Sequence, residues 1–309
     1  MPGIRILKPG LLTSVQDAGR KGYEHLGIMV GGSMDDFAAS WANRLVGNSL
    51  SAAVLEITLL GPTFEALDAG WMALAGADLG AMVNGIPWHP GYTRHVVPGD
   101  TVSFGRAVFG MRAYIGFAGG LDVQPVLGSR STDLVAGFGG LEGRALLAGD
   151  ELRYAGGHVE EAMAPGPTCL VSSVLRVLPA SRLEGFSSGT WEKFLGGSYR
   201  VDPRSNRVGI RLDGPHILNA RMAGDRTSEA IAIGSVEVPP SGELLILTKS
   251  RGSIGGYPTL AHVIAADWPV LAQLKLGSAV SFEATDVENA REVLCQQTRA
   301  LEATLAKPR

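Results

Sequence analysis

The residues able to do chemistry in this chain are carboxylates and arginines in apolar or glycine-flanked stretches. Glu56 stands in Val54-Leu-Glu-Ile-Thr58, among apolar neighbours. A buried carboxylate must be paired or hydrogen-bonded, or it drifts toward its neutral form. Paired with Arg20 or Arg44, Glu56 is structural; unpaired, it can act as a general base that activates water. Glu229, in Thr227-Ser-Glu-Ala230, is the corresponding candidate in the second half of the chain. Asp17 is the third candidate catalytic carboxylate. It lies three residues before Arg20, a candidate substrate-binding cation.

Further arginines sit where an anion could approach. Arg130 and Asp133 share Gly128-Ser-Arg-Ser-Thr-Asp133, in which a planar guanidinium and three small hydroxyls can line an anionic ligand. The same pair can equally brace its own loop. Arg207 and Arg211, in Ser205-Asn-Arg-Val-Gly-Ile-Arg-Leu-Asp-Gly214, are four apart on a strand-like run and so share a face. Like charges on one face repel unless an anion or a carboxylate answers them. In Arg251-Gly-Ser-Ile-Gly-Gly-Tyr-Pro258 the glycines read as opening a helix near Thr259. Backbone N–H groups at such a start form an anion site. Arg251, Gly255, Gly256 and Tyr257 therefore complete the candidate substrate-binding set.

Most self-sufficient enzyme designs are missing from the sequence. There is no GxxxxGK phosphate loop, and Gly31-Gly-Ser-Met-Asp35 is one residue short of a nucleophile elbow. Gly137-Phe-Gly-Gly-Leu-Glu-Gly143 misses the dinucleotide fingerprint by one position. The histidines show no metal-ligand spacing, so no metal is expected. A net charge of −3 argues against nucleic acid and anionic membranes as general partners. No run of apolar residues is long enough to span a bilayer, and the N-terminus lacks a signal-type apolar core. The expected location is the cytoplasm. Cys169 and Cys295, far apart in apolar surroundings, read as reduced packing residues.

These groups need elements to position them. Val15 to Asp35 carries five glycines without helical or alternating periodicity, so it reads as an irregular loop, either at the surface or at an active site. It feeds a helix over 36–46, with an Asp as N-cap and Gly47 beyond its end. Short strands follow around 3–14, 53–60, 71–74, 81–83, 96–97, 102–104 and 111–118, separated by Gly, Pro, Asn and Asp turns. A turn feeding a strand recurs at 97–104 and 275–282, with a third copy of the turn at 148–152. The non-periodic stretch 155–167 sets a boundary, giving domains 1–157 and 158–309. In the second half, strands are expected at 170–178, 208–212, 236–238 and 244–248. Helices are expected near 190–195, over 260–274 with a break at Asp267-Trp268-Pro269, and from Asp286 on. The residues alone yield two mainly-β units with a few helices.

One long pattern also carries a resemblance. VQDAGRKGYEHLGIMVGGSMDDFA (15–38), LEITLLGPT (55–63), AYIGFAGGLDVQPVLGSRSTDL (113–134), SNRVGIRLDGP (205–215), SEAIAIGSVEVPPSGE (228–243) and GGYPTLAHVI (255–264) occur in one order along nearly the whole chain. Together they resemble the KipA-like, biotin-dependent carboxyltransferase-like (allophanate hydrolase subunit 2-like) family, which includes the 5-oxoprolinase C subunits. The resemblance implies two cyclophilin-like β-barrel domains. It implies a subunit of an ATP-dependent 5-oxoprolinase-type hydrolase, inactive alone. The partners would be a KipI-like (B-type) protein and a LamB/YcsF-type protein, in a heterocomplex that uses ATP. Two alternatives stay open. One is a carboxyltransferase component of a urea carboxylase-like enzyme, with biotin on another protein, since no lysine here stands in a Met-Lys-Met context. The other is a non-catalytic regulator that binds a KipI-like kinase inhibitor. The ligand is expected between the two halves, facing Arg207, Arg211 and the Arg251–Tyr257 loop. The family usually reads Asp-Arg-Gln-Thr-Thr-Gly-Gly-Tyr-Pro in that loop. This chain instead has Ser250, Gly252, Ser253 and Ile254 around the retained Arg251, which puts the usual substrate in question.

Overall fold

The computed structural model describes residues 1–159, 172–181, 186–217 and 227–303. The expected boundary stretch, from residue 160 on, and Cys169 lie outside the described residues. The chain is mainly β and divides into two compact units. The first holds Met1–Arg20, the described residues from Gly31 to Val159, and those from Arg299 on. The second holds Lys21–Val30 and the described residues between 172 and Thr298. The glycine-rich stretch is thus shared between them. Periodicity cannot show such a division.

In the first unit the strands are β1 (Gly3–Lys8), β2 (Leu12–Gln16), β3 (Val54–Thr58), β4 (Thr63–Ala66), β5 (Gly70–Asp78), β6 (Ala81–Val83), β7 (Ile86–Pro87), β8 (Tyr92–Val96), β9 (Thr101–Phe104), β10 (Phe109–Phe117) and β11 (Glu151–Arg153). They form a six-stranded sheet, β11-β1-β4-β9-β6-β7, and a five-stranded sheet, β2-β3-β10-β5-β8. Leu55, Ile57, Ala113, Ile115 and Phe117 point into the main core, with Ile4, Phe64 and Val102 of the other sheet. Val54, Ala75 and Tyr114 point the opposite way. They are covered by helix α1 (Asp36–Leu45) through Ala38, Trp41, Ala42 and Leu45. With both faces buried, these strands read as apolar runs and not as alternation. Helix α1 forms where capping physics places it: Asp35 Oδ1 accepts from Ala38 N at 2.9 Å.

The second unit contains β12 (Val174–Pro179), α2 (Thr190–Gly196), β13 (Tyr199–Val201), β14 (Gly209–Asp213), β15 (Glu229–Ala230), β16 (Ser235–Glu237), β17 (Leu244–Leu247), β18 (Ile254–Gly255), β19 (Thr259–Val263), α3 (Trp268–Gln273) and β20 (Ala279–Ala284). Seven of these strands close a barrel, β12-β19-β16-β17-β14-β13-β20, sealed by the parallel pairing of β12 and β20. Phe194, Tyr199, Val236, Ile246, Leu260 and Phe282 fill it. The two-residue strands β15 and β18 make a separate ribbon. Helix α4 (Val287–Ala303) ends the described chain, and Asp286 Oδ1 caps it through Asn289 N at 2.7 Å. None of the helices described is long and apolar enough to cross a membrane.

The repeated turn proves to be a structural unit. Gly99, Gly149 and Gly277 all have positive φ. Each donates its N–H to a neighbouring segment, at Ala66 O, Ile6 O and Val201 O. Three expectations need correction. Residues 260–263 form strand β19 and not a helix, because Leu260-Ala-His-Val263 is too short a run for apolar periodicity to separate the two. Asp267 does not cap α3 with its side chain; its carboxylate takes Arg176 N and the Arg176 guanidinium instead. Cys295 is exposed on α4 and is no packing residue.

The seating of α1 depends on Gly116. A Cβ there would lie 2.7 Å from Ala42 O of the helix backbone, which cannot yield as a flexible side chain can. Gly116→Ala should therefore push α1 away from β10 and destabilise the chain by about 1–3 kcal/mol. Thermal unfolding measures this, and an unchanged Tm would mean that helix and sheet are not packed as described.

Candidate functional site

In the first unit the site is built on a knot around Asp17. Oδ1 accepts from Gly19 N at 2.8 Å, from Ser129 Oγ at 2.7 Å and from Ser131 Oγ, while Oδ2 accepts from Arg130 N. Ser33 N donates to Asp17 O at 2.9 Å. Gly32 makes that approach feasible, since a Cβ there would fall 2.9 Å from Gly19 N. Arg130 itself is exposed and sends Nε to Val123 O at 2.7 Å. Asp133 accepts from Val135 N and Ala136 N with Oδ1, bracing its own turn. Asp17, Arg20, Arg130 and Asp133, scattered over more than a hundred residues of sequence, are thus brought into one cluster.

Arg20 is the unusual member. It is 1% exposed, stacks on Phe138 at 4.5 Å, and donates from Nη2 to Ser131 O at 2.7 Å. Nη1 is buried without a hydrogen-bond partner, and so is the hydroxyl of Ser33. Nη1 points at Gly31, where a Cβ would stand 3.7 Å away. Burial lowers the guanidinium's pKa from its ordinary value, against the opposing pull of Asp133 and Asp17. An unanswered buried donor on a cation is costly. An anion would answer the Arg20 donor.

Glu56 lies beneath the same loop. Its Oε2 accepts from Met34 N at 2.7 Å and from Tyr114 OH at 2.9 Å, and Asp35 N donates to the same phenol oxygen at 2.9 Å. Strand register sets Ser14, Glu56 and Tyr114 in one row across β2, β3 and β10. The Tyr114 phenol is held well above its ordinary pKa by burial and by the charges of Glu56 and Asp35. It therefore stays a proton donor to Glu56. The amides of Ser33, Met34 and Asp35 are each engaged within the fold.

The second unit gathers a different set. Arg251 is buried, with Nε donating to Ile231 O at 3.0 Å, and burial lowers its pKa against the attraction of Glu24. Glu229 is exposed on β15, opposite Gly255 of β18. Gly256 and Tyr257 are exposed as well. Since Thr259 begins a strand, the expected helix-start anion site at Gly255-Gly256 does not exist. Arg207 and Arg211 do not share a strand either. Arg207 precedes β14 in a turn held by Asn206, whose Oδ1 takes Val208 N and Gly209 N. Arg207 is buried, whereas Arg211 is half-exposed and faces Glu243 at 3.9 Å. Arg204 joins that surface cluster, bonding Asp202 at 2.7 Å and holding its carboxyl at about 2.

The residue that sequence reasoning missed is Glu237. It is 3% exposed on β16, and its Oε1 is buried without a hydrogen-bond partner. Burial pushes it up to about 7. On the same face, two residues earlier, the Ser235 hydroxyl lies 3.2 Å from His262 Nδ1, and burial lowers the His262 pKa. The signal was available, because Val236-Glu-Val238 places a carboxylate between apolar residues just as Leu55-Glu-Ile57 does.

The fold and site thus define a mainly-β protein of two units, each with buried acids and arginines. The chain matches the family described as carboxyltransferase domain, subdomain A and B, over residues 26–284, and it belongs to that family. It is similar to the 5-oxoprolinase C subunit of Escherichia coli K12, at 36% identity over 97% of this chain and 96% of that protein. The 5-oxoprolinase C subunit of Haemophilus influenzae is 35% identical, covering 94% of each. The crystal structure of the K. lactis urea amidolyase aligns with 99% of this chain at TM-score 0.89 and 28% identity, although this chain spans 20% of that one. TTHA0988 aligns at TM-score 0.83 and 35% identity, and there the chain spans 56% of the relative.

Glu237 carries a stability signature with a defined sign. Its folded pKa lies above the usual carboxylate value, so the native state holds a proton that the unfolded state releases. Its contribution is complete below about pH 4.5 and is lost as pH rises toward 7. The Tm of Glu237→Gln should therefore gain on that of the parent chain between pH 5 and pH 8. Parallel Tm curves would show that the carboxyl is not held neutral.

Proposed function

We propose that this chain is a subunit of an ATP-dependent 5-oxoprolinase-type hydrolase, which opens the ring amide of 5-oxoproline to give glutamate. The observation carrying this reading is the nearly full-length similarity to two proteins named as the C subunit of 5-oxoprolinase. A KipI-like protein and a LamB/YcsF-type protein act with it, in the cytoplasm, and the chain is inactive alone. ATP is used together with those partners.

Within this reading Arg20 Nη1 and Ser33 Oγ form an anion site of the first unit. Gly31 leaves the guanidinium open to approach, and Asp17 fixes the loop. Glu56, hydrogen-bonded to Met34 N and Tyr114, is the candidate base beneath that loop. The site on the second unit, with Arg207, Arg251 and the Gly255–Tyr257 turn, is a separate candidate, and Glu229 is its exposed carboxylate. A second reading has its own support in the urea amidolyase alignment. Under it the chain is a carboxyltransferase component, and biotin is carried by another protein.

The test is co-expression with the two partner types and measurement of glutamate formed from 5-oxoproline and ATP. The complex should turn over, and the chain alone should neither hydrolyse ATP nor open the ring. Arg20→Ala in the complex should lower kcat/KM by roughly 30- to 150-fold, about 2–3 kcal/mol for a charged hydrogen bond lost in a desolvated site. Ser33→Ala should lower it less, with the fold intact. Turnover of urea with a biotin carboxylase component, and none of 5-oxoproline, would transfer the chain to the second reading.

A further inference from the structure

We propose that Glu237 forms a binding site for the cis-amide group of a lactam or a urea, its carboxyl and the amide making two hydrogen bonds side by side. The proposal deepens the function above by assigning the ring amide of its substrate, and to that extent rests on it.

Glu237 Oε1 has no hydrogen-bond partner in the fold. The other buried acids are engaged where their bonds are described: Asp35 by Ala38 N, Asp133 by Val135 N and Ala136 N, Asp267 by Arg176, and Glu56 by Met34 N and Tyr114 OH. Leaving one unanswered costs free energy that a structural role would not require. On its own strand Ser235 shares its face. The neighbouring strands β17 and β19 present Leu245 and Thr259 opposite it. The roof is the β15–β18 ribbon, where a Cβ on Gly255 would stand 2.8 Å from Oε1 and 3.2 Å from Ile231 Cδ1. A side chain at this position would have to push the carboxyl or Ile231 aside. Two paired strands of two residues each are marginal by themselves, so this cover can part to admit a small molecule.

Charge decides what kind of molecule. The titratable groups around the carboxyl are His262 on β19, next to Ser235, and Glu229 and Arg251 at the ribbon. Arg211 lies two strands over on β14 and is turned to Glu243. None of them sets the protonation of Glu237, which burial alone raises. Near neutral pH the group is therefore substantially a carboxylic acid, with one donor and one acceptor side by side. A cis amide presents the complementary pair: its C=O accepts the acid O–H, and its N–H donates to the acid C=O. Lactams are held cis by their ring, and urea offers the same edge. An open-chain secondary amide is trans and cannot close both bonds.

The test uses the full chain and ligands without a carboxylate. Binding of 2-pyrrolidone, N-methyl-2-pyrrolidone and N-methylacetamide is followed by ligand-observed NMR at pH 6 and pH 8.5. Only 2-pyrrolidone should bind at pH 6, and its Kd should rise at least about fivefold at pH 8.5 as the acid ionises. Glu237→Gln keeps a donor–acceptor pair, so it should bind at both pH values equally. Glu237→Ala should lose binding, and Gly255→Ala should weaken it by placing a methyl against the carboxyl. Should Glu237→Ala not fold, the pH dependence of the parent chain against Glu237→Gln decides. Equal binding of N-methyl-2-pyrrolidone, binding by a folded Glu237→Ala, or none by the parent chain at pH 6 would overturn the site. Lactam binding without 5-oxoproline turnover by the assembled complex removes the function and keeps the site. Full turnover by the Glu237→Ala complex does the reverse.

Discussion

Asp17 accepts three donors at Oδ1 and one at Oδ2, and three of the four come from Ser129, Arg130 and Ser131. An irregular loop has no ladder to satisfy its backbone, so its polar groups must find partners one by one. The Asp17 carboxylate does this for two loops at once, joining the end of β2 to the segment between β10 and β11. Its main-chain oxygen adds Ser33 N from the far side of the glycine excursion. With the loops tied, Arg20 is held against Phe138 and Ser131 O, and its remaining nitrogen is left facing Gly31. The rest of the candidate site follows from this tie.

The two buried glutamates contrast in how their burial is resolved. Glu56 receives a backbone amide and a phenol whose own pKa is raised, so its oxygen is answered within the fold. That answer locks the loop to the start of α1 through Met34 and Asp35. Glu237 receives nothing at Oε1 and is pushed toward its neutral form. A satisfied buried acid organises structure, whereas an unsatisfied one is a standing invitation to a ligand. The difference lies in what covers each strand: a helix start whose Met34 amide bonds the carboxylate over β3, and a two-residue ribbon ending in glycine over β16.

The chain belongs to the family of carboxyltransferase domains, subdomains A and B. The chain supplies shaped, desolvated polar positions in each unit. In neither unit do the described residues assemble a nucleophile with a base and an orienting third group of the triad kind. Electrostatic positioning is what these residues can contribute: a buried cation at Arg20, and a buried acid at Glu237 whose pKa burial raises.

Much of the local structure was readable without coordinates. Asp35 and Gly47 marked the ends of α1, glycine turns marked the strand starts at 99, 149 and 277, and dense turn chemistry marked two β units. Each of these is decided by neighbours within a few residues, so periodicity and backbone preference suffice. Leu260-Ala-His-Val263 was not readable, because a short apolar run fits helix and strand alike until β12 and β16 pair with it. The Arg207–Arg211 spacing misled because a turn intervenes. Glu229 follows Thr227 and Ser228 and is exposed, whereas Glu237 stands between two valines and is buried. Pairing across the barrel and the fold-back of the ribbon make that choice. The sequence by itself determined the elements, the caps and the stock of charged groups. Which of those groups lost water without gaining a partner was decided only by tertiary structure, because desolvation depends on what packs above a residue and not on what precedes it.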